Sequence, residues 1–122
     1  MHKNYQLDKA LEIEQYFNNS TLIDQTINQI KKDFIEFDFN IEITNKGENL
    51  FEELIAEISP VIDYLLEKQL EKLMSLIYRI DIDERKIKLA LNAEKPHVSI
   101  SELVVKRELQ KVVIRNYYKG NL

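Results

Sequence analysis

Residues 59–79 read SPVIDYLLEKQLEKLMSLIYR, with apolar side chains at intervals of three and four residues. This spacing is typical of an α-helix that lies with one face against a core. Serine can cap the free N–H groups of the first turn, and proline fits the first helical position because an N–H there has no helical partner. We therefore predict a helix that begins at Ser59-Pro60 and ends near Arg79. Its apolar face comprises Ile62, Leu65, Leu66, Leu70, Leu73, Leu76 and Ile77.

Three more helices are predicted on the N-terminal side of this stretch. Residues 8–18 form the first, and the second begins at Ser20 or Thr21, whose hydroxyl groups can cap it. Residues 50–58 form a short third helix that ends before Pro60, because proline disfavours helical geometry in the preceding residue. A continuous helix with a proline kink is the alternative.

The pattern changes between the second and third helices. From Ile35 to Ile43 apolar and polar residues alternate, which is typical of a half-buried β-strand. A single strand leaves its backbone N–H and C=O groups without partners, so it must pair. The candidate partners are a second copy of the chain, residues 97–100, or a hairpin formed by residues 79–83 and 86–92.

The densest acidic cluster lies at residues 79–85. Asp81 and Asp83 could hold a hard cation together, but calcium loops need more oxygen ligands and a glycine at the sharp turn. Aspartate is also a preferred helix cap. For residues 80–92 we therefore favour a short helix, capped by Asp81 or Asp83, over the hairpin.

A last helix is predicted after a loop around Pro96. It begins at Ser99 or Ser101, either of which can cap it, and ends near Tyr118. Apolar residues occupy several of its sides, which indicates a place at the centre of a core or in an oligomer interface. The β-branched run Val112–Ile114 leaves a strand as the alternative.

The composition bounds the fold class. The chain has 122 residues, 44% hydrophobic and 31% charged, which fits one domain with a single core. Only two glycines and two prolines are present, which argues against many-turned all-β folds. We predict a mainly α, compact, helical bundle-like domain over residues 1–122, with one or two short β-strands and flexible ends at residues 1–6 and 119–122. An α+β fold with a small antiparallel sheet is the alternative.

The composition also restricts the chemistry and the location of the protein. The chain has no cysteine, which excludes disulfides and thiolate chemistry. No apolar run approaches the roughly 18 residues that span a bilayer, and the N-terminus lacks the apolar segment of a signal peptide. We therefore predict a cytoplasmic protein without a membrane partner.

The net charge of −4 is unevenly distributed. Residues 103–122 carry +4, which leaves −8 for residues 1–102. The basic segment could meet an acidic partner or the acidic body of a second copy, or it could be compensated within one fold. With Tyr117-Tyr118 it also has the character of a nucleic-acid-binding surface, although the overall acidity opposes that interpretation.

No residue pattern indicates catalysis. His97 follows a proline in a loop and could be a general base or a ligand, but no second histidine accompanies it at the His-x-x-x-His spacing of a metal site. A role in anchoring the loop is the preferred interpretation. The chain also lacks a Ser-His-Asp arrangement, a P-loop and a dinucleotide fingerprint. We predict no catalytic residue, no metal site and no cofactor.

Two stretches, LIYRIDIDE at residues 76–84 and ISELVVKRELQKV at residues 100–112, resemble a family of short, uncharacterised bacterial proteins. The resemblance implies no activity. We predict that Asp81 or Glu84 forms an ion pair between two helices, with Arg107 or Lys111 as its partner. The polar residues that the resemblance singles out are Arg79, Asp81, Glu84, Glu102, Arg107, Glu108 and Lys111.

The predicted function is that of a non-catalytic protein-interaction or assembly module. It would self-associate as a dimer through the 35–43 strand, the second helix or the last helix, or bind another protein. The alternative is a small nucleic-acid-associated or regulatory protein that uses the basic last helix. The candidate site is an interhelical polar cluster that comprises Arg79, Asp81, Glu84, Arg107, Lys111 and Arg115.

Overall fold

A computed structural model describes residues 12–43 and 49–122. Helices contain 76% of the described residues, which confirms the mainly α fold. The described chain begins with a short 3-10 helix, and five α-helices follow. The elements are the 3-10 helix Ile13–Tyr16, α1 (Ser20–Ile35), α2 (Leu50–Lys68), α3 (Leu70–Ile80), α4 (Glu84–Leu91) and α5 (Pro96–Tyr118).

Helix α5 lies at the centre of the fold. It packs against the other four α-helices and the 3-10 helix, and its most extensive interface is with α2. Full burial of each aliphatic side chain stabilises the fold by about 1.5–3 kcal/mol, which explains the apolar residues on several sides of this helix. The fully buried apolar side chains of α5 are Ile100, Val104, Val105, Leu109, Val112 and Val113.

The start of α5 differs from the prediction. Pro96 is helical and occupies the first turn, where proline is tolerated because its missing N–H has no helical partner. The predicted loop around Pro96 is therefore partly helix. Neither serine caps the helix: Ser101 Oγ donates to His97 O at 2.7 Å from inside the helix, and Ser99 N donates to Lys95 O at 3.1 Å.

The predicted strand Ile35–Ile43 is wrong, and the described residues contain no β-strand. Helix α1 continues through the start of that segment and ends in a left-handed turn at Asp38, whose φ is 69°. Phe39 N donates to Phe34 O at 3.1 Å, the bond that closes such a helix end. The chain then runs without regular structure and buries Ile41 in the core. Alternate residues reach the core here without any strand pairing.

The predicted boundary at Ser59-Pro60 is also wrong, and the continuous helix given as the alternative is correct. Helix α2 contains Pro60, and the break comes at Gln69, where the backbone leaves helical geometry. Proline has no N–H to donate to Ala56 O, four residues earlier. Ser59 Oγ instead donates to Ile55 O at 2.7 Å. Packing of α2 against α5 therefore outweighs the local preference of proline.

Replacing Pro60 by alanine is expected to raise the free energy of unfolding by about 1 kcal/mol. Alanine restores the missing hydrogen bond to Ala56 O, and this gain exceeds the cost of the greater conformational entropy of the unfolded chain. Urea or thermal unfolding at pH 7 measures the change. Glu57→Ala, at an exposed position of the same helix, is the control and is expected to stay within about 0.5 kcal/mol of the parent chain. A less stable Pro60→Ala variant would contradict this expectation.

The short helix favoured within residues 80–92 forms as α4, Glu84–Leu91, and the hairpin does not form. Asp81 takes a left-handed conformation with φ 69° at the end of α3, and Ile82 N donates to Ile77 O at 3.3 Å. Asp83 Oδ1 accepts from Arg85 N at 2.9 Å and caps α4, which confirms that cap. The two aspartates thus end one helix and start the next.

The ends of the chain fall partly outside the described residues. The first predicted helix, 8–18, is described only from residue 12, where the short 3-10 helix appears, and residues 1–6 lie outside. At the other end Gly120 has φ 78°, and Asn121 N donates to Asn116 O at 2.9 Å.

Candidate functional site

A buried charge cluster lies where α1, α3 and α5 meet, and it consists of Asp33, Arg79, Glu108 and Lys111. Asp33 of α1 is only 3% exposed. Its Oδ1 accepts from Arg79 Nε of α3 at 3.1 Å, and its Oδ2 lies 3.6 Å from Lys111 Nζ of α5. Gln29 Nε2, one turn earlier on α1, donates to Asp33 Oδ2 at 3.3 Å. One carboxylate therefore joins three helices.

Glu108 of α5 is the second carboxyl group of the cluster and is fully buried. Lys111 Nζ lies 2.7 Å from Glu108 Oε1, but the contact is an ion-pair contact without the alignment of a hydrogen bond. Within the described residues no donor forms a hydrogen bond to either carboxyl oxygen. A buried carboxylate without donors is strongly disfavoured, so Glu108 should hold a proton.

The two carboxyl groups have opposite pKa shifts. Burial and a hydrogen bond with Asp33 raise the pKa of Glu108 from 4.5 to about 8, against the opposing charge of Lys111. Burial also acts to raise the pKa of Asp33, but hydrogen bonds from Glu108, Gln29 and Arg79 and the charge of Lys111 together outweigh it and lower that pKa below its usual value. Opposite shifts of this kind are expected for two carboxyl groups in contact, because close like charges disfavour the ionisation of both.

The structure does not bring the predicted cluster together as one site. Arg79 and Lys111 lie in the buried charge cluster, and Arg79 Nη2 also lies 3.4 Å from Glu36 Oε1 on the surface. Arg115 Nη1 donates to Gln29 Oε1 at 3.4 Å, beside the cluster. Asp81 at the end of α3, Glu84 of α4 and Arg107 of α5 are not part of this cluster.

Arg107 forms an ion pair with Asp81, one of the pairs predicted between two helices. Arg107 Nη2 lies 3.1 Å from Asp81 Oδ2, and Arg107 Nε donates to Asp81 O at 3.0 Å. This arginine therefore binds the left-handed end of α3 to α5. Glu84 lies in the exposed first turn of α4, and Lys111 pairs with other carboxyl groups.

The sequence analysis did not identify Asp33, and it named Glu108 as a polar residue of interest without predicting its partner. Both positions nevertheless fall on apolar faces. Asp33 follows Ile27 and Ile30 at helical spacing, and Glu108 follows Val104 and Val105 in the same way. An acid at a position that the helical pattern assigns to the core is a signal for a buried partner.

A groove with a volume of about 530 Å³ lies between α3 and α4. Met74 and Ile77 form its α3 wall, and Ile87 and Leu91 form its α4 wall. Aspartates and Glu84 line the end where the two helices join. We call this feature the α3–α4 groove.

Exposed apolar side chains concentrate on α3 and α4, the two helices that form this groove, and three of them line it. Of the nine large apolar side chains that are exposed among the described residues, five lie on α3 or α4. Tyr78, which lines the groove, is 87% exposed. Such concentrations on a protein surface mark interaction sites. The five side chains are Leu70, Met74, Tyr78, Leu89 and Leu91.

A second cleft, of about 670 Å³, lies beside α2 and α5. Phe17 and Phe51 line it and stack with ring centroids 3.9 Å apart. Asn49, at its edge, adjoins residues 44–48, which the structure does not describe. We base no site on it, because part of its wall lies outside the described residues.

Three further observations concern metal ligation, His97 and the membrane. In residues 12–43 and 49–122 no three acidic or histidine side chains converge as a metal site. His97 Nδ1 lies 4.0 Å from Asp63 Oδ1 and so links α5 to α2. Among the helices of these ranges, none combines the length and the apolar character needed to cross a bilayer.

No family model, curated protein or solved structure with which the chain was compared matches it. The function is therefore inferred from the structure alone.

Proposed function

We propose that the chain is a non-catalytic protein-interaction module that forms a homodimer through the α3–α4 groove. The observation that carries this proposal is Tyr78, a large apolar side chain that is 87% exposed at the edge of an apolar groove. Buried tyrosines are frequent anchors of protein interfaces.

A second copy of the chain is the occupant that this geometry favours. In a two-fold dimer the same patch meets itself, so it must carry both a projecting side chain and a recess. Tyr78 projects beside a recess lined by Met74, Ile87 and Leu91. In the proposed dimer each Tyr78 inserts into the groove of the other copy.

The surfaces named from the sequence are less suited to self-association. Most apolar residues of the last helix, α5, are buried within the chain, and the stripe Ile23, Ile27, Ile30 and Phe34 of the second helix, α1, faces the core. The 35–43 strand does not form. Among the described residues, the candidate surface that remains is the α3–α4 groove with its exposed side chains Met74, Tyr78 and Leu91.

The alternative function, nucleic-acid binding, has less support, because two of the five basic residues in the segment 103–122 contact carboxyl groups of the same chain. Arg107 pairs with Asp81, and Lys111 pairs with Asp33 and Glu108. Paired cations are less available to phosphates. A cytoplasmic location and the relationship to short bacterial proteins stay predictions.

The dimer is expected to be weak. Helix α3 has 11 residues. It therefore extends about 16 Å, which places the interface near the small end of specific interfaces, about 1,200 Å² in total.

Sedimentation equilibrium between 1 and 500 μM tests the proposal, with Tyr78→Asp as the variant. We expect the parent chain to dimerise with rising concentration and Tyr78→Asp to weaken the dimer by about 100-fold or more, because the charge must be buried in an apolar groove. Tyr118→Asp is the matched control, since Tyr118 is 68% exposed on α5 and should leave association unchanged. A parent chain that stays monomeric throughout, or an equal effect of both variants, would refute the proposal.

A further inference from the structure

We propose that Asp33 and Glu108 share one proton that locks α1 and α3 onto α5, and that loss of this proton at alkaline pH opens this end of the helical bundle. The lock is a property of the buried charge cluster and does not depend on the proposed dimer.

The hydrogen-bonding pattern requires the proton. Two carboxylates cannot donate to each other, so the ionised pair would leave Glu108 with no hydrogen-bond donor among the described residues. A proton on Glu108 supplies the donor for Asp33 and leaves the other Glu108 oxygen beside Lys111 Nζ at 2.7 Å. The protonated pair therefore satisfies both acids.

The charge balance of the cluster also favours one proton on the pair of acids. The charged groups beside Glu108 are Lys111 on the same helix and Asp33 on α1. Arg79 of α3 in turn contacts Asp33. With one proton present, Asp33 and Glu36 balance the two cations. Without it, a second buried anion lies beside Asp33, and no further cation of the described cluster compensates it.

The lock would control the C-terminal part of α3. Arg79 holds this part to α1 through Asp33 at 3.1 Å, and Asp81 holds it to α5 through Arg107. Repulsion between the two ionised acids would separate α1 from α5 and weaken the Arg79 contact. The Asp81–Arg107 pair lies outside the cluster and would remain.

The sign of the pH dependence follows from proton binding. Folded Glu108 keeps its proton up to about pH 8, whereas an ordinary glutamate releases it near 4.5. Stability from this group is therefore complete below about pH 4.5 and is lost as the pH rises toward 8. Asp33 acts in the opposite direction and only in acid, because its pKa is lowered.

Thermal unfolding of the parent chain and of Glu108→Gln between pH 5.5 and pH 9 tests the lock. Glutamine keeps the size of the side chain, donates to Asp33 and accepts from Lys111, but it cannot ionise. We expect the Tm of the parent chain to fall by about 10 °C over this range and the Tm of Glu108→Gln to stay nearly constant. Glu102→Gln, on the same helix, is the control and should follow the parent profile. Parallel profiles for the parent chain and Glu108→Gln would overturn the proposal.

Two measurements on the folded parent chain make the test independent of the variant's stability. Carboxyl ¹³C NMR is expected to show one glutamate that titrates near pH 8, and a set in which every glutamate titrates near pH 4.5 would overturn the lock. Amide exchange, corrected for the intrinsic rate, is expected to rise at pH 9 in residues 29–36 and 76–80. Unchanged protection in both segments would overturn the predicted opening.

Discussion

Replacing Asp33 by alanine is expected to lower the free energy of unfolding by about 3 kcal/mol at pH 7, the lower end of the range for breaking a buried charge pair. The variant removes the one residue of the described ranges that contacts Arg79, Glu108 and Lys111 together. The expected loss of stability is at the lower end of that range because Arg79 retains its contact with Glu36 at 3.4 Å, and because the side chains of Arg79 and Lys111 are both partly exposed. Urea unfolding measures the difference.

Glu36→Ala is the matched control for Asp33→Ala. Glu36 pairs with the same arginine, but its side chain is 52% exposed, so screening by water limits the contribution of the pair. We expect a loss of less than about 1 kcal/mol. Similar losses for both variants would mean that the buried carboxylate contributes no more than a surface one.

Replacing Leu109 by alanine is expected to lower the free energy of unfolding by about 3 kcal/mol, because it leaves a cavity in a region that cannot collapse around it. Leu109 is fully buried on α5, which every other described helix contacts. The same urea titration gives the value.

Leu89→Ala is the matched control for Leu109→Ala. Leu89 is 75% exposed on α4, so its replacement is expected to change stability by no more than about 0.5 kcal/mol. Leu89 does not line the α3–α4 groove, so the control leaves the proposed interface intact. A Leu109→Ala variant as stable as Leu89→Ala would show that α5 is not the centre of the core.

The proposed interface and the proposed lock meet on α3 without depending on each other. Tyr78 faces the groove, and its neighbour Arg79 reaches the buried charge cluster. A chain that fails to dimerise can still show the pH-dependent Tm, and a chain without that dependence can still dimerise. The two sets of experiments therefore separate the proposals.

The helical periods in the sequence predicted most of the elements correctly. The four-and-three spacing in α1 and α3 corresponds to faces that are mostly buried in the structure, because a helix turns its apolar side chains inward. Leu70 of the predicted face is an exception and is 51% exposed. The cap at Asp83 was also predictable, since a capping bond joins residues that are close in sequence.

The errors arose where packing between distant segments overrides local preference. Alternation at residues 35–43 is typical of a strand, yet a strand needs a partner for its backbone, and the described chain offers none. Pro60 disfavours helix locally, but burial of the apolar face of α2 against α5 keeps the helix continuous. Neither outcome can be deduced from neighbouring residues.

The sequence by itself determined the helical class and the faces of the helices that turn inward, because those properties depend on residues within a few positions of one another. Only the tertiary structure decided that Asp33 and Glu108 meet and that Tyr78 is left beside an open groove. Side chains so far apart in the chain come together only through helix packing. The strength of their interaction is then set by the exclusion of water, which no local pattern encodes.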